Sequence, residues 1–401
     1  RTNRGDDRPL TTNSSNMGAL TIRKVETKRD LTRFINFNTE LYKDSPYAVP
    51  YLFQDVWNTF DRKKNAAFDF CECDWFLAER DGKLAGCVCA IINHRANERW
   101  NVRNVRFGWF DTIDDEEVVD TLIRTVEQWG KERGMTHITG PLGITDMDPE
   151  GMLVEGYEEL GTMATIYNFP YYVDHMVRLG FKKETDWLER LVTVPTKENP
   201  ARSEKFFRIA EIVGKRFNLR ALHFKNTKQI IDEGWGLKVF HLVNRAYDSL
   251  FGFSQMTDRQ CEQYVNQYIP FIDVRSIALI VNDKNELVAM GAGMPSLSHA
   301  LQKGRGKLFP FGWWHLFKTL YLKQYPDTID LLLIAVAPEY QGKGVNALIF
   351  ADLIQRIGSM GFKYAEVHPV LEDNNKCGDQ WDYVESRVYK RRRCWIKKID
   401  D

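Results

Sequence analysis

The chain has 401 residues, with 55 Lys and Arg against 55 Asp and Glu, so its net charge is zero and its composition holds no bulk attraction to nucleic acid or anionic membrane. Apolar residues make up 43% and charged residues 27%, the balance of a globular protein, and the length predicts two domains with separate cores. No apolar run reaches about 18 residues, Arg1 to Asn16 is polar, and the seven cysteines are odd in number, which together predict a cytoplasmic protein with reduced thiols.

Residues 1–19 read as a flexible arm, 20–195 as a first domain and 196–401 as a second. Thr21 to Val25 predicts a short strand, followed by helix through Tyr42 with Phe34, Phe37 and Leu41 at helical spacing. Tyr47 to Phe60, rich in Pro and aromatic residues, predicts loop and a short helix. Trp75 onward predicts a hairpin turning at Asp81 and Gly82. With a two-residue turn there, Cys73 falls opposite Ala90 and Cys87 opposite Phe76. That register puts the Cys71/Cys73 and Cys87/Cys89 pairs on opposite faces, as buried cysteines rather than zinc ligands.

A strand over Val105 to Phe110 leads to an amphipathic helix from about Asp115 to Arg133, then a strand over His137 to Thr139. The acidic stretch Asp111 to Glu117 satisfies the dipole at that helix N-terminus and repels phosphate. The Gly/Pro-rich loop after Gly140 places Asp146, Asp148, Glu150 and Gly151 at EF-hand-like positions. Tyr157 stands where the last ligand should be and a strand precedes the loop, so calcium is rejected. A substrate-contacting loop and a solvated turn remain open.

Past a polar linker over Thr196 to Pro200, helices are predicted at Ser203 to Arg216, Ile230 to Leu250 and Asp258 to Tyr268. Strands follow at Ser276 to Val281 and Leu287 to Met294. The segment Phe309 to Leu322 has Leu316, Phe317, Leu320 and Tyr321 on one helical face after Trp313, behind Lys303, Arg305 and Lys307. It reads as a core-packed helix, the wall of an acyl tunnel or an interfacial membrane contact.

Asp330 to Ala337 is a buried strand, Pro338 ends it, and Gln341, Gly342, Lys343, Gly344, Val345 and Asn346 lead into an apolar helix. Glycines at a helix N-terminus let an anion reach free N–H groups, and Lys343 adds charge, so the turn is built to hold phosphate. It has neither the P-loop nor the Gly-x-Gly-x-x-Gly spacing. Tyr364 to His368 is a further strand, and Lys390 to Lys398 reads as a basic, solvated edge strand, with anionic-lipid or CoA-phosphate contact as alternatives.

Gln341, Gly344 and Asn346 resemble the Gln/Arg-x-x-Gly-x-Gly/Ala loop of the GNAT acyltransferase superfamily, and Leu179 to Phe181 resembles the Leu-Gly-Phe ending of its fourth helix. The resemblance implies an α/β fold of two tandem GNAT domains, each a mixed sheet flanked by helices, with only the second keeping the cofactor loop. This layout is similar to the N-myristoyltransferase and FemX-type families, and the aromatic insertion to bacterial ceramide synthase-like N-acyltransferases. It further implies acyl-CoA as donor, its pyrophosphate on Gln341 to Asn346 and its pantetheine arm along Ile334 to Val336, with no metal. Direct attack by an amine on the thioester is then served by Glu366 and His368, which share a strand face, and by Tyr383 as acid. The acceptor is a small-molecule or lipid amine such as a sphingoid base, with no nucleic acid and with peripheral contact at the inner membrane face as a further reading. A FemX-like aminoacyl transferase and a non-catalytic CoA-binding scaffold are the alternatives. Gly344→Glu is expected to remove CoA binding and leave the fold intact.

Overall fold

The computed structural model describes residues 18–195, 203–374, 381 and 384–400. Most of the expected N-terminal arm, the linker from Thr196 and Tyr383 lie outside the described residues. The first half runs β1 (Leu20–Lys24), α1 (Lys28–Leu41), α2 (Phe53–Thr59), β2 (Cys71–Arg80), β3 (Lys83–Asn93), α3 (His94–Trp100), β4 (Asn104–Thr112), α4 (Glu116–Lys131), β5 (His137–Gly140), β6 (Met152–Glu155), α5 (Tyr171–Arg178) and β7 (Lys182–Thr193). The second runs α6 (Ser203–Phe217), β8 (Arg220–Leu222), α7 (Thr227–Asp232), α8 (Trp235–Tyr247), α9 (Asp258–Tyr268), β9 (Ile277–Val281), β10 (Leu287–Pro295), α10 (Ser298–Gly304), α11 (Gly312–Leu320), β11 (Thr328–Val336), α12 (Asn346–Ser359), β12 (Tyr364–Leu371) and β13 (Ser386–Lys398).

Local signals set the helix ends. The Thr257 side chain accepts from Gln260 N–H while the Gln260 side chain returns to the Thr257 N–H, a capping box that starts α9. The helix expected over Ile230 to Leu250 is two helices instead. Gly234, at φ +73°, turns the chain between α7 and α8, a conformation a helix interior does not contain.

All strands join one mixed sheet in the order β1-β2-β3-β4-β5-β13-β7-β12-β11-β10-β9-β8, with β6 on β13. Among the described residues parallel pairing occurs twice, between β4 and β5 and between β11 and β12, each across a β–α–β unit. The two halves thus repeat the same order, but their last strands are exchanged. β7, from the first half, pairs with β12, while β13 pairs with β5. β7 and β13 pair with each other along the seam. Helix α4 buries Val118, Leu122 and Val126 on the first half, and α6 and α12 bury Phe206, Ile349, Phe350 and Leu353 on the second. No helix among the described residues is long and apolar enough to cross a membrane.

Two register expectations are corrected. Cys73 pairs with Ile91 and Cys87 with Leu77, because a bulge between Ala78 and Glu79 absorbs one residue after the turn. A one-residue shift moves side chains to the other face, so Cys71, Cys73, Cys87 and Cys89 share one apolar cluster with Phe60, Trp75 and Trp109. They are buried and free. The basic run is not a solvated edge. β13 is central, Lys390 and Arg392 are each 1% exposed, and Arg393 makes two bonds to Asp186 of 2.8 and 3.0 Å.

The exchange carries a consequence for folding. Expressed alone, residues 18–195 should be insoluble or show no cooperative thermal transition, because β5 lacks β13 and β7 lacks β12. Co-expression with residues 196–401 should restore a folded complex. A cooperative transition of the isolated first half would contradict this topology.

Candidate functional site

In the second half, β11 and β12 pair only from Thr328–Tyr364 to Leu331–Val367 and then part. β10 stays with β11 to Val336, with Leu332 as an extra residue where the register shifts. The opening therefore lies between Leu332 to Val336 on one side and His368 to Leu371 on the other. Past the strand, Pro338 to Tyr340 form one 3₁₀ turn, and the Gln341 side chain donates back to Val336 O at 3.1 Å. Gly342 and Gly344 have φ of +72° and +79°, the left-handed conformation that favours glycine. A Cβ on Gly342 would meet nothing within 4 Å. Among the described residues, no protein acceptor pairs with the N–H groups of Gly342, Gly344 or Val345. The α12 N-terminus has no side-chain cap, and Lys343 is exposed beside it, over the rings of Phe217 and Tyr340. Gly344 is less open, since its Cβ would lie 3.3 Å from both Ile209 and Val213 of α6. Gly344→Glu therefore strains the backbone and presses on α6, so it is not neutral to the fold as expected from the sequence.

The first half has the same split, and the chain itself fills it. β4 and β5 pair only to Arg106–Thr139, after which Leu142 N–H donates to Phe107 O at 2.9 Å. Gly108 permits this approach, because a Cβ there would lie 2.3 Å from Leu142 O. Helix α4 is capped by Asp115, which accepts from Val118 N–H and is itself bridged by Arg80 at 3.0 Å. Asp111 is not at the helix end. It sits in β4, buried, accepting from Asn38 and Tyr42, and burial pushes its carboxyl up to about 6. Asn38 and Tyr42 line a cavity of about 330 Å³ with Val49, Tyr51, Tyr167 and Gln302. The loop after Gly140 is not a solvated turn: its first residues are buried, and Asp146 accepts from Ser254 N–H of the second half at 3.0 Å.

Beside the open split lies a buried charged cluster. Lys390 Nζ is 2.8 Å from Glu366 and 3.5 Å from Glu189; Arg392 also bonds Glu189, and the Tyr389 hydroxyl donates to Glu366. Against the cost of burial, Arg392 and Lys390 hold Glu189 below the usual carboxylate range. Burial raises Glu366 and raises Asp330, its register partner on β11, well above that range, with the charge of Glu366 adding to the effect on Asp330. Both Asp330 carboxylate oxygens lack a hydrogen-bond partner of normal geometry among the described residues. His368 is the first β12 residue beyond the last paired position. Burial pushes its imidazole down to about 4, with Lys390 and Arg392 acting in the same direction against Glu189. Its Nε2 has no hydrogen-bond partner among the described residues.

The structure thus brings Ile334, Val336 and Gln341 to Asn346 together along one strand and turn, and puts Glu366 and His368 on the facing strand. Glu366 is held by Lys390 and Tyr389, while His368 Nε2 is not held. Tyr383 lies outside the described residues. Sequence reasoning missed Asp330, Glu189, Lys390 and Arg392 as neighbours of this cluster. The one available signal was the charge of Asp330 inside an otherwise apolar strand.

Comparison with known proteins follows the same outline. Over 389 residues the chain is 26% identical to Protein YghO of Escherichia coli (strain K12), covering 94% of this chain and 95% of that protein. Over 386 residues it is 25% identical to the bacterial ceramide synthase of Caulobacter vibrioides (strain NA1000 / CB15N), covering 95% and 98%. Among solved structures it is similar to the tandem GNAT protein from the clavulanic acid biosynthesis pathway, with a TM-score of 0.56, 11% identity and coverage of 96% and 99%. No family model matches. The fold is that of a tandem GNAT protein.

A neutral His368 ties this cluster to pH. The imidazole binds its proton more readily in the unfolded chain, near 6.5, than in the fold, near 4. The stability it contributes is therefore complete above pH 6.5 and is lost as pH falls toward 4. In paired urea titrations, wild type should lose stability relative to His368→Gln over that window. Parallel pH profiles would contradict a buried neutral imidazole.

Proposed function

We propose that this chain, with its tandem GNAT fold, is an acyl-CoA-dependent N-acyltransferase whose second half holds the donor and whose acceptor is an amine, in the lipid-amine class. The observation that carries the reading is the pair of strand splits. One is filled by the chain's own Leu142, and the other is open beside a turn in which the N–H groups of Gly342, Gly344 and Val345 have no acceptor among the described residues. Acyl transfer in general is supported by the fold together with the ceramide synthase among the relatives. The lipid amine, sphingoid-type, is supported by that relative's name.

The turn fits a pyrophosphate. The N–H groups of Gly342, Gly344 and Val345 would hold it, with Lys343 adding charge, and the edge of β11 over Ile334 to Val336 would receive the pantetheine arm. When bound, acyl-CoA supplies an acyl group activated as a thioester. The chain's own residues supply the proton traffic. His368 is neutral at pH 7 and its Nε2 has no hydrogen-bond partner among the described residues, so it can take the proton of an attacking amine. Glu366, engaged by Lys390, positions that ammonium group and balances its charge. Tyr383 remains the proposed proton donor to the leaving thiolate.

Gly342 offers the direct test, because a side chain there meets nothing and aspartate tolerates positive φ better than most residues. Gly342→Asp places a carboxylate among the amides. It should leave the melting temperature of the free protein nearly unchanged and weaken the stabilisation by CoA, at least about tenfold in apparent affinity. Equal CoA stabilisation of variant and wild type would sink the assignment.

A further inference from the structure

Helix α11 sits in an insertion that the first half lacks, and its outer side is unlike the rest of the surface. Among the described residues, six of the twelve exposed large apolar side chains fall between 309 and 322: Phe309, Phe311, Trp313, Trp314, Tyr321 and Leu322. Phe309 is 78% and Phe311 74% exposed. The rings lie on one another rather than in the core. Trp314 stacks on Phe317 at 5.7 Å and Phe317 on Tyr321 at 5.1 Å. The Trp313 indole N–H is satisfied within the segment, donating to Pro310 O at 3.1 Å. Only a narrow inner side anchors the helix, where Leu316 and Leu320 pack with Leu301 and Leu332.

Charge identifies the partner. Residues 303–326 hold Lys303, Arg305, Lys307, Lys318 and Lys323 and no Asp or Glu, in a chain whose net charge is zero. Arg305 pairs with Glu40 and Lys323 with Asp273. Lys303, Lys307 and Lys318 have no acidic partner among the described residues, and Lys318 lies over the Trp314 ring at 5.3 Å. Exposed Trp and Tyr among Phe and Leu, ringed by cations, suit the boundary between headgroups and acyl chains, where amphipathic rings and ammonium groups keep their polar ends wet. At nine residues, α11 is far too short to span a bilayer.

We propose that the outer face of α11, with Phe309 and Phe311 leading into it, docks on an anionic lipid bilayer, lying in the interface with its rings inserted and Lys303, Lys307 and Lys318 against lipid phosphates. The proposal goes beyond acyl transfer and does not depend on it, because neither the amide-rich turn nor His368 enters the argument.

The test uses the full chain without CoA, sedimented with vesicles of phosphatidylcholine alone or with about one third phosphatidylglycerol. Wild type should bind the anionic vesicles. Phe309→Ser with Phe311→Ser should weaken that binding by at least about tenfold. Lys307→Glu with Lys318→Glu should abolish the preference for the anionic vesicles. Phe309, Phe311 and Lys307 are exposed and Lys318 is half-buried over the Trp314 ring, so both variants should keep the wild-type melting temperature; if either does not, the other still decides. Absence of wild-type binding, or equal binding by wild type and both variants, would overturn the proposal. So would light scattering that shows a wild-type dimer dispersed by the same substitutions without vesicle binding, which would assign the face to a second copy.

Discussion

The antiparallel pairing of β7 with β13 is the constraint on which the two halves depend. Each strand completes the half to which it does not belong in sequence, so neither half of the sheet is complete until the end of the chain has returned. The pairing is written in charge on both faces. Lys390 and Arg392 meet Glu189 and Glu366 on the buried side, and Arg391 and Arg393 meet Asp186 on the other. Burying ions is costly, and such pairs add little net stability compared with apolar packing. Their effect here is on register: a slip of one residue would take all four cations away from their acids at once.

That seam also shapes the proposed site. It brings Glu189, Lys390 and Arg392 up against β12 just where β12 leaves β11, and burial there keeps His368 neutral, helped by Lys390 and Arg392 and opposed by Glu189. The duplicated unit then serves two ends. In the first half the gap between the parallel strands is sealed by Leu142 and the helix end by Asp115. In the second, among the described residues, the N–H groups of Gly342, Gly344 and Val345 have no protein acceptor, and Lys343 lies beside a helix start that no side chain caps. The same topology thus yields one half whose split the chain closes and one whose split stays open, the proposed donor site.

Much of this could be read before the structure. The strand, proline and glycine-rich turn from Asp330 to Asn346 are a local signal, since dipole, φ and amide supply all act within a few residues. The acidic start of α4 was legible for the same reason. Long-range pairing was not. Lys390 to Lys398 has the composition of a solvated edge, and no local rule says that its partner is β7, about 200 residues earlier. The cysteine register failed through a single bulge at Ala78 and Glu79, which periodicity does not reveal. At α11 the pattern located the apolar residues but not which side faced the core: Leu316 and Leu320 turn inward, and most of the aromatic rings do not.

The central claim is that duplication left one open cofactor split and one closed by the chain. Isothermal titration of the 401-residue chain with CoA measures this directly, through stoichiometry rather than affinity. The account predicts one CoA per chain. Two per chain, or none, would contradict it.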